Sequence, residues 1–515
     1  MESLSRTQRR LIWIGCLIPF AGSIALMLWY WPGALPQDSS SGVWTALAQD
    51  FSRGVFYRPT FDAFGFGGTR YMPLFFILHG SLIRLSFDPI AAGLALTLLA
   101  IVLFDVGLLL TLRELGVDWA LAVPLSLLPH AALSFQLLTL QVKGDFLAAA
   151  LTLWGVWLGL RYERRRSGAW LAACALAFLA AFLTKFTSVT GAVVICGWLA
   201  SRKNARAGVG LAAALVLLAA GSFGAINWAS AGRVLSSFHA VATGGMRAGY
   251  ASAAPLWFLL VAIQDPVFLI ILVAVSVYAA VRIQRREWSF PVVYFVLAAA
   301  TTLLIFTSPG TDTNHFLDLL GAAVLLLGDQ LVRRPQQARL ATAVPVVLAV
   351  LTAATWIPGM ISIKSLIQQG GKPERRSVAL LAQRLGPDAH DLLSENPIVP
   401  ILLGERPRVL DPFSLRLLAR RRAEVGADFA GRLSRREFGA VVLVDFSGAD
   451  PKHLAGALRD CTASDGARCY GEVLFSPGFL HQLEQYYRLS FVERPFVVFV
   501  PRQGGLGPRE RAPGS

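Results

Sequence analysis

PQDSSSGVWTALAQDFSRGVFYRPTFDAFGFGGTRYMP, residues 36–73, decides how this chain is read. It separates the first apolar run from everything after it. It carries Asp38, Asp50 and Asp62, Arg53, Arg58 and Arg70, and a cluster of aromatic side chains. Glycine, proline and charge at this density do not cross a hydrocarbon core, where backbone polar groups must be satisfied within the segment. The stretch is therefore expected outside the membrane. Within it, VWTALAQDFSRG has the spacing of a short amphipathic helix, with Val43, Leu47 and Phe51 on one face.

The flanks agree with that placement. Upstream, Arg6, Arg9 and Arg10 precede an apolar run over residues 11–31, which predicts a retained first span with the N-terminus inside. Residues 32–88 then form the first outer loop. Downstream, residues 72–85 are apolar but interrupted by His79 and Arg84. A helix of about 14 residues rises about 21 Å, short of a core of about 30 Å, so this segment is expected to lie on the outer surface.

Composition supports a membrane protein. The 515 residues are 55% hydrophobic and 15% charged, and the mean hydropathy is +0.56. The net charge of +15 sits largely in short Arg-rich loops such as Arg161–Arg166, a topology signal and a contact for anionic lipid rather than a nucleic-acid surface. Counting apolar runs against those loops predicts about eleven transmembrane helices within residues 1–358, with the C-terminus outside. Residues 120–138 and 146–160 read as a helical hairpin bent near 141–145. The last span is expected at 340–356. From 359 to 515 the composition is that of a soluble α/β domain ending in a Gly/Pro/Arg tail. RVLD (408–411), AVVLVDF (440–446) and FVVFVP (496–501) read as strands, and SVALLAQRLG and FLHQLEQYYRL as helices. Cys461 and Cys469 flank a polar loop and suit a disulfide in an oxidising compartment.

The residues that carry chemistry gather on the expected outer side. Asp38 follows the first span directly. By residue type it suits a helix N-cap first, and also a base at the membrane–water boundary. Asp145 opens the span after the bend, where a carboxylate complements the helix dipole. Together they make a pair able to do acid–base work on a hydroxyl or amine, or to hold a divalent ion such as Mg or Mn. Lys143, Lys185, Arg58 and Arg70 stand at the same level and suit either interfacial snorkelling or a lipid phosphate. Lys185 interrupts an apolar stretch. Asn314, His315 and Asp318 close the set, with His315 a substrate-binding candidate. The first-loop aromatics suit an interfacial belt or a sugar site.

These segments resemble the GT-C glycosyltransferases, and within them the bacterial protein mannosyltransferase and lipid A aminoarabinose transferase group. An acid just after span 1, "RGVFYRP" and "RYMPLFFILHGSLIRL" resemble the group's first outer loop. The loop ends in Tyr71-Met72-Pro73-Leu74, one proline short of the group's Tyr-Pro-Pro-Leu. "VKGDFLAAALTLW" (142–154) is similar to its Arg-Pro-Asp segment, with Lys143-Gly144 in place of Arg-Pro. "LAFLAAFLTKFTSV" (176–189) is similar to its Thr-Lys segment, and "TDTNHFLDL" (311–319) and "LLSENPIVPILLGERPRVLDPF" (392–413) resemble further pieces. The resemblance implies transfer of a sugar from a polyprenyl-phosphate donor to a glycan, lipid or protein acceptor outside the cytoplasmic membrane. It implies Asp38 as the base and Asp145 as the second acid. It also implies Lys185 and a first-loop arginine at the donor phosphate. Two other classes fit a polytopic chain. A transporter or lipid flippase needs deep charges and inverted repeats. A non-catalytic scaffold needs only the outer domain.

Overall fold

The computed structural model describes residues 5–31, 33, 38–202, 204–241, 248–308, 311–333, 350, 354, 356, 359–361, 375–386, 390–444, 475, 477–493 and 496–502. The membrane part comprises α1 (Arg6–Tyr30), α2 (Ser39–Ser52), α3 (Pro73–Arg84), α4 (Pro89–Glu114), α5 (Trp119–Leu127), α6 (Leu133–Thr139), α7 (Asp145–Arg165), α8 (Gly168–Thr184) and α9 (Thr190–Ser201). It continues with α10 (Ala205–Ala229), α11 (Arg233–Val241), α12 (Ala248–Ile263), α13 (Pro266–Gln284), α14 (Phe290–Ile305) and α15 (Leu317–Arg333). Local chemistry sets many of the starts. Asp38, Asp88, Asp118 and Asp265 are N-caps whose carboxylates accept first-turn N–H groups, and Pro89 and Pro266 follow two of them.

Ten of the expected apolar runs fall on these helices; the run at 340–356 lies mostly outside the described residues. Among the described residues five helices are long and apolar enough to cross a membrane, and six if one bent pair counts as a span. The others are shorter, such as α8 and α9 at 17 and 12 residues, or carry charge at their ends, as α7 does. The helix α10 is scarcely buried, with Val216, Leu217 and Trp228 exposed on its surface, as a lipid-facing helix requires.

The bent pair corrects the hairpin expectation for 120–138. The α5 limb, running on through a 3-10 turn (Leu128–Ala131), meets α6 at 78°. Pro124 and Pro129 each remove a backbone donor there. Asp265 satisfies part of the broken backbone: its Oδ2 accepts from Ser134 N at 2.8 Å and Ser134 Oγ at 2.6 Å.

The C-terminal α/β domain holds, among the described residues, a four-stranded sheet, β1 (Leu392–Ser394), β2 (Ala440–Val444), β3 (Tyr487–Glu493) and β4 (Phe496–Pro501), in the order β1-β2-β4-β3. β1 and β2 are parallel; β4 runs antiparallel to both its neighbours. Two expectations change. RVLD is not a strand but makes a single bridge, Val409 with Phe66. FLHQLEQYYRL is helical only to Tyr486 and then turns into β3, where its side chains alternate against the sheet. Cys461, Cys469 and the tail from 503 lie outside the described residues.

The first outer loop is built into this domain. Phe66 N donates to Arg408 O at 2.9 Å and Leu410 N to Phe66 O at 2.8 Å. A Cβ on Gly65 would stand 1.9 Å from Arg408 O, so only glycine permits this approach. Asp50 and Arg58 form a buried ion pair, and Arg58 Nη1 also donates to Pro407 O at 2.6 Å. Arg375 closes the loop at its ends: its backbone N–H donates to Gly33 O at 3.0 Å, and its guanidinium pairs with Asp88.

Candidate active site

The site forms where α2, the turn between α6 and α7, the α8–α9 break and the 3-10 turn Thr313–Phe316 meet. Asp38 caps α2. One of its oxygens accepts from Ser40 N at 3.2 Å, and the carboxylate also holds Ser40 Oγ. Its Oδ2 lies 2.6 Å from Lys143 Nζ. The next residue of α2, Ser41, fixes the position of Lys143, because Ser41 Oγ accepts from Val142 N at 3.0 Å. Gly144 completes the turn. A Cβ there would lie 3.1 Å from Trp44, 3.2 Å from Thr184 and 3.3 Å from Phe75, so the absence of a side chain lets α7 start against α2, α3 and α8 at once.

Asp145 opens α7. Its Oδ1 accepts from Lys185 Nζ at 2.5 Å and from Asn314 Nδ2 at 2.9 Å. Lys185 is available because α8 ends at Thr184 and Lys185 takes an extended conformation (φ −150°, ψ 112°) before α9 begins. A small cavity of about 20 Å³ sits beside this pair, with Asp145, Lys185, Ser188, Asn314, His315 and Asp318 in its wall. The Nδ1 of His315 is buried there without a hydrogen-bond partner.

The two ion pairs are electrostatically one system. Burial disfavours the charged form of Lys143, but Asp38, Asp145 and Asp312 outweigh it and hold the ammonium above the ordinary lysine range. Burial likewise raises the Asp38 carboxyl, but Lys143 and Ser40 overcome this and hold it below the ordinary carboxylate range. Tyr71 stacks on Trp44 at 4.5 Å between ring centroids. Its hydroxyl is pushed up by burial and then by the charge of Asp411, with Arg70 opposing and Asp38 and Asp145 adding. Asp411 belongs to the soluble domain, where it caps the helix Pro412–Ala419. Arg70 lies over the ring of Phe413, 5.5 Å from its centroid, with no carboxylate in ion-pair range among the described residues.

The structure thus brings Asp38, Lys143, Asp145, Lys185 and His315 to one junction, with Arg70 beside it. Arg58 is not among them, because its guanidinium is taken up by Asp50 and Pro407 O. Sequence reasoning missed the roof supplied by the soluble domain through Asp411 and Phe413. The signal was Asp411-Pro412, the same helix-start dipeptide as Asp88-Pro89 and Asp265-Pro266. It also gave Asn314 no partner. Asp38 and Asp145 each have an ammonium partner, and among the described residues no group of three His, Cys, Asp or Glu side chains converges. Two carboxylate-held lysines and a nearby arginine suit an anion.

No family model and no curated protein sequence matches the chain. Solved structures do. ArnT from Cupriavidus metallidurans bound to undecaprenyl phosphate superposes with a TM-score of 0.54 at 11% identity, over 96% of this chain and 99% of that one. The oligosaccharyltransferase AglB from Archaeoglobus fulgidus, in complex with an inhibitory peptide and a dolichol-phosphate, gives 0.52 at 13% identity over 97% and 75%. A crystal structure of the A. fulgidus enzyme with zinc and sulfate gives 0.52 at 13% identity over 93% and 73%. The chain has the GT-C fold with a C-terminal α/β domain.

Proposed function

We propose that the chain is a membrane glycosyltransferase that moves a sugar from a polyprenyl-phosphate donor to an acceptor on the outer side of a bacterial cytoplasmic membrane, with inversion at the anomeric carbon. The observation that carries this reading is the junction itself. Two carboxylates from separate elements, each paired with a lysine, stand beside an arginine that has no acidic partner among the described residues. The lipid phosphates held by ArnT and AglB, proteins of the same fold, support it.

In this reading Asp38 is the general base. It takes the proton of an acceptor hydroxyl or amine as that atom bonds to the anomeric carbon. The bond from that carbon to the phosphate oxygen breaks, and the phosphate leaves with the electron pair. Lys143, Lys185 and Arg70 offset the charge that builds on the leaving phosphate. Asp145 holds Lys185, and His315 and Asn314 face the sugar. The N-terminus lies inside and the soluble domain outside, where it covers the acceptor side. The acceptor is a cell-envelope glycan, lipid or protein.

Asp38→Asn tests the reading. It keeps the cap geometry and removes the base, so transfer should fall by about 100-fold or more, while the protein stays folded and monodisperse. Turnover near wild type would overturn it. Mass spectrometry of envelope glycans with and without the gene identifies the sugar and the acceptor.

A further inference from the structure

The two ion pairs of the site are not equivalent. Asp145 is the more buried, with its side chain 7% exposed, and it has two donors, Lys185 and Asn314. The Asp38 side chain is 26% exposed, and among the described residues Lys143 is its only cationic partner within ion-pair distance. The backbone beneath Lys143 is pinned by the Val142–Ser41 hydrogen bond. A lysine has four rotatable side-chain bonds, so the ammonium can change partner while the turn stays fixed.

We propose that Lys143 is an exchangeable clamp on Asp38: its ammonium holds the carboxylate in the empty site and passes to the phosphate of an arriving polyprenyl-phosphate donor, which frees Asp38 to take a proton. This rests on the reading of Asp38 as base and of a lipid phosphate as donor group. The physical argument is competition for one cation. A carboxylate held by an ammonium at 2.6 Å is a weak proton acceptor. A phosphate offers the same ammonium an anion with more charge and more oxygen acceptors. The base therefore gains proton affinity when a leaving group is in place, and it is masked when only water is present. Lys185 cannot serve in the same way without leaving the more deeply buried Asp145 with Asn314 alone.

The clamp makes a prediction that a simple phosphate ligand would not. If Asp38 competes for Lys143, removing the Asp38 charge must tighten lipid-phosphate binding. The experiment titrates the full chain in nanodiscs with undecaprenyl phosphate and compares wild type, Asp38→Asn, Lys143→Gln and the double variant, each checked for monodispersity. The expected result is tighter binding by Asp38→Asn, by about fivefold or more, the lower end of a typical coupling. Lys143→Gln should bind about tenfold more weakly, as for a lost charge-assisted contact, and the double variant should match Lys143→Gln, so that the Asp38 effect vanishes without the lysine. Unchanged or weaker binding by Asp38→Asn overturns the clamp and leaves the glycosyltransferase reading standing, as does Asp38→Asn tightening equally in the Lys143→Gln background. No binding of undecaprenyl phosphate by any form overturns the donor assignment, and the clamp with it. Where Lys143→Gln does not fold, Lys143→Arg replaces it, and binding within about twofold of Lys143 in both Asp38 backgrounds sustains the exchange.

Discussion

Asn314 and Lys185 donate to the same oxygen of Asp145, at 2.9 and 2.5 Å, and so tie the late 3-10 turn and the α8–α9 break to the start of α7. Three distant parts of the chain meet on one atom. Lys185→Met would leave the buried carboxylate with a single neutral donor. Breaking a buried pair costs about 3 kcal/mol or more, so thermal unfolding in detergent should shift down clearly. The double variant Lys185→Met/Asp145→Asn should recover most of that stability and none of the transfer activity.

Arg70 is expected to act on binding rather than on chemistry. It stacks near Phe413 and has no acidic partner among the described residues. Arg70→Ala should raise KM for the lipid donor by about tenfold, the scale of one charge-assisted hydrogen bond, with a smaller change in kcat. Arg70→Lys should restore part of that loss, because it returns the charge without the planar fork. Steady-state kinetics with varied donor separates the two parameters.

Arg58 predicts the opposite pattern. It is buried against Asp50 and holds the loop to Pro407 of the soluble domain. Arg58→Met should destabilise by about 3 kcal/mol, as for other broken buried pairs, although Arg406 Nε, 3.3 Å from Asp50, offsets part of it. Any fall in transfer should follow the fall in folded protein.

The Asp38–Lys143 pair fixes a pH window. The Asp38 carboxyl is held below its ordinary value, so its contribution to stability is present above about pH 4, its unfolded range, and is lost as pH falls through the lower folded value. Lys143 is held above its ordinary value, so its share is present below about pH 10 and is lost as pH rises through the higher folded value. The stability difference between wild type and Asp38→Asn should therefore be flat from about pH 5 to 9 and shrink outside that window. Thermal unfolding across pH measures it.

Much of this was readable before any coordinates. Asp38 and Asp145 stood out as a pair because both fall at the expected outer boundary, although a helix cap and a helix dipole account for either acid alone, and Lys185 stood out because it split an apolar run. Hydrophobic runs and Arg-rich loops placed the helices. The misreadings have local causes. Residues 120–138 are apolar throughout, so hydropathy could not register the 78° break, although Pro124 and Pro129 lay in plain view. RVLD has strand composition but finds only one partner, Phe66, from a loop some 340 positions earlier. Arg58 and Arg70 flank the same loop and are alike in sequence. Only the fold separates them, because Asp50, near the end of α2, pairs with Arg58, while no acid among the described residues lies in ion-pair range of Arg70.

The tie made by Arg375 has a consequence for how this protein can be dissected. Its peptide N–H reaches Gly33 and its guanidinium reaches Asp88, so one residue at the entry to the sheet domain staples together both feet of the segment that bears Asp38. An expression product stopping before residue 375 would lack that staple. It would also lack Pro407, Arg408 and Val409, against which the segment is laid. A hydrophobic half purified alone is therefore the wrong reagent for assaying catalysis, and its silence would say nothing about which half holds the chemistry.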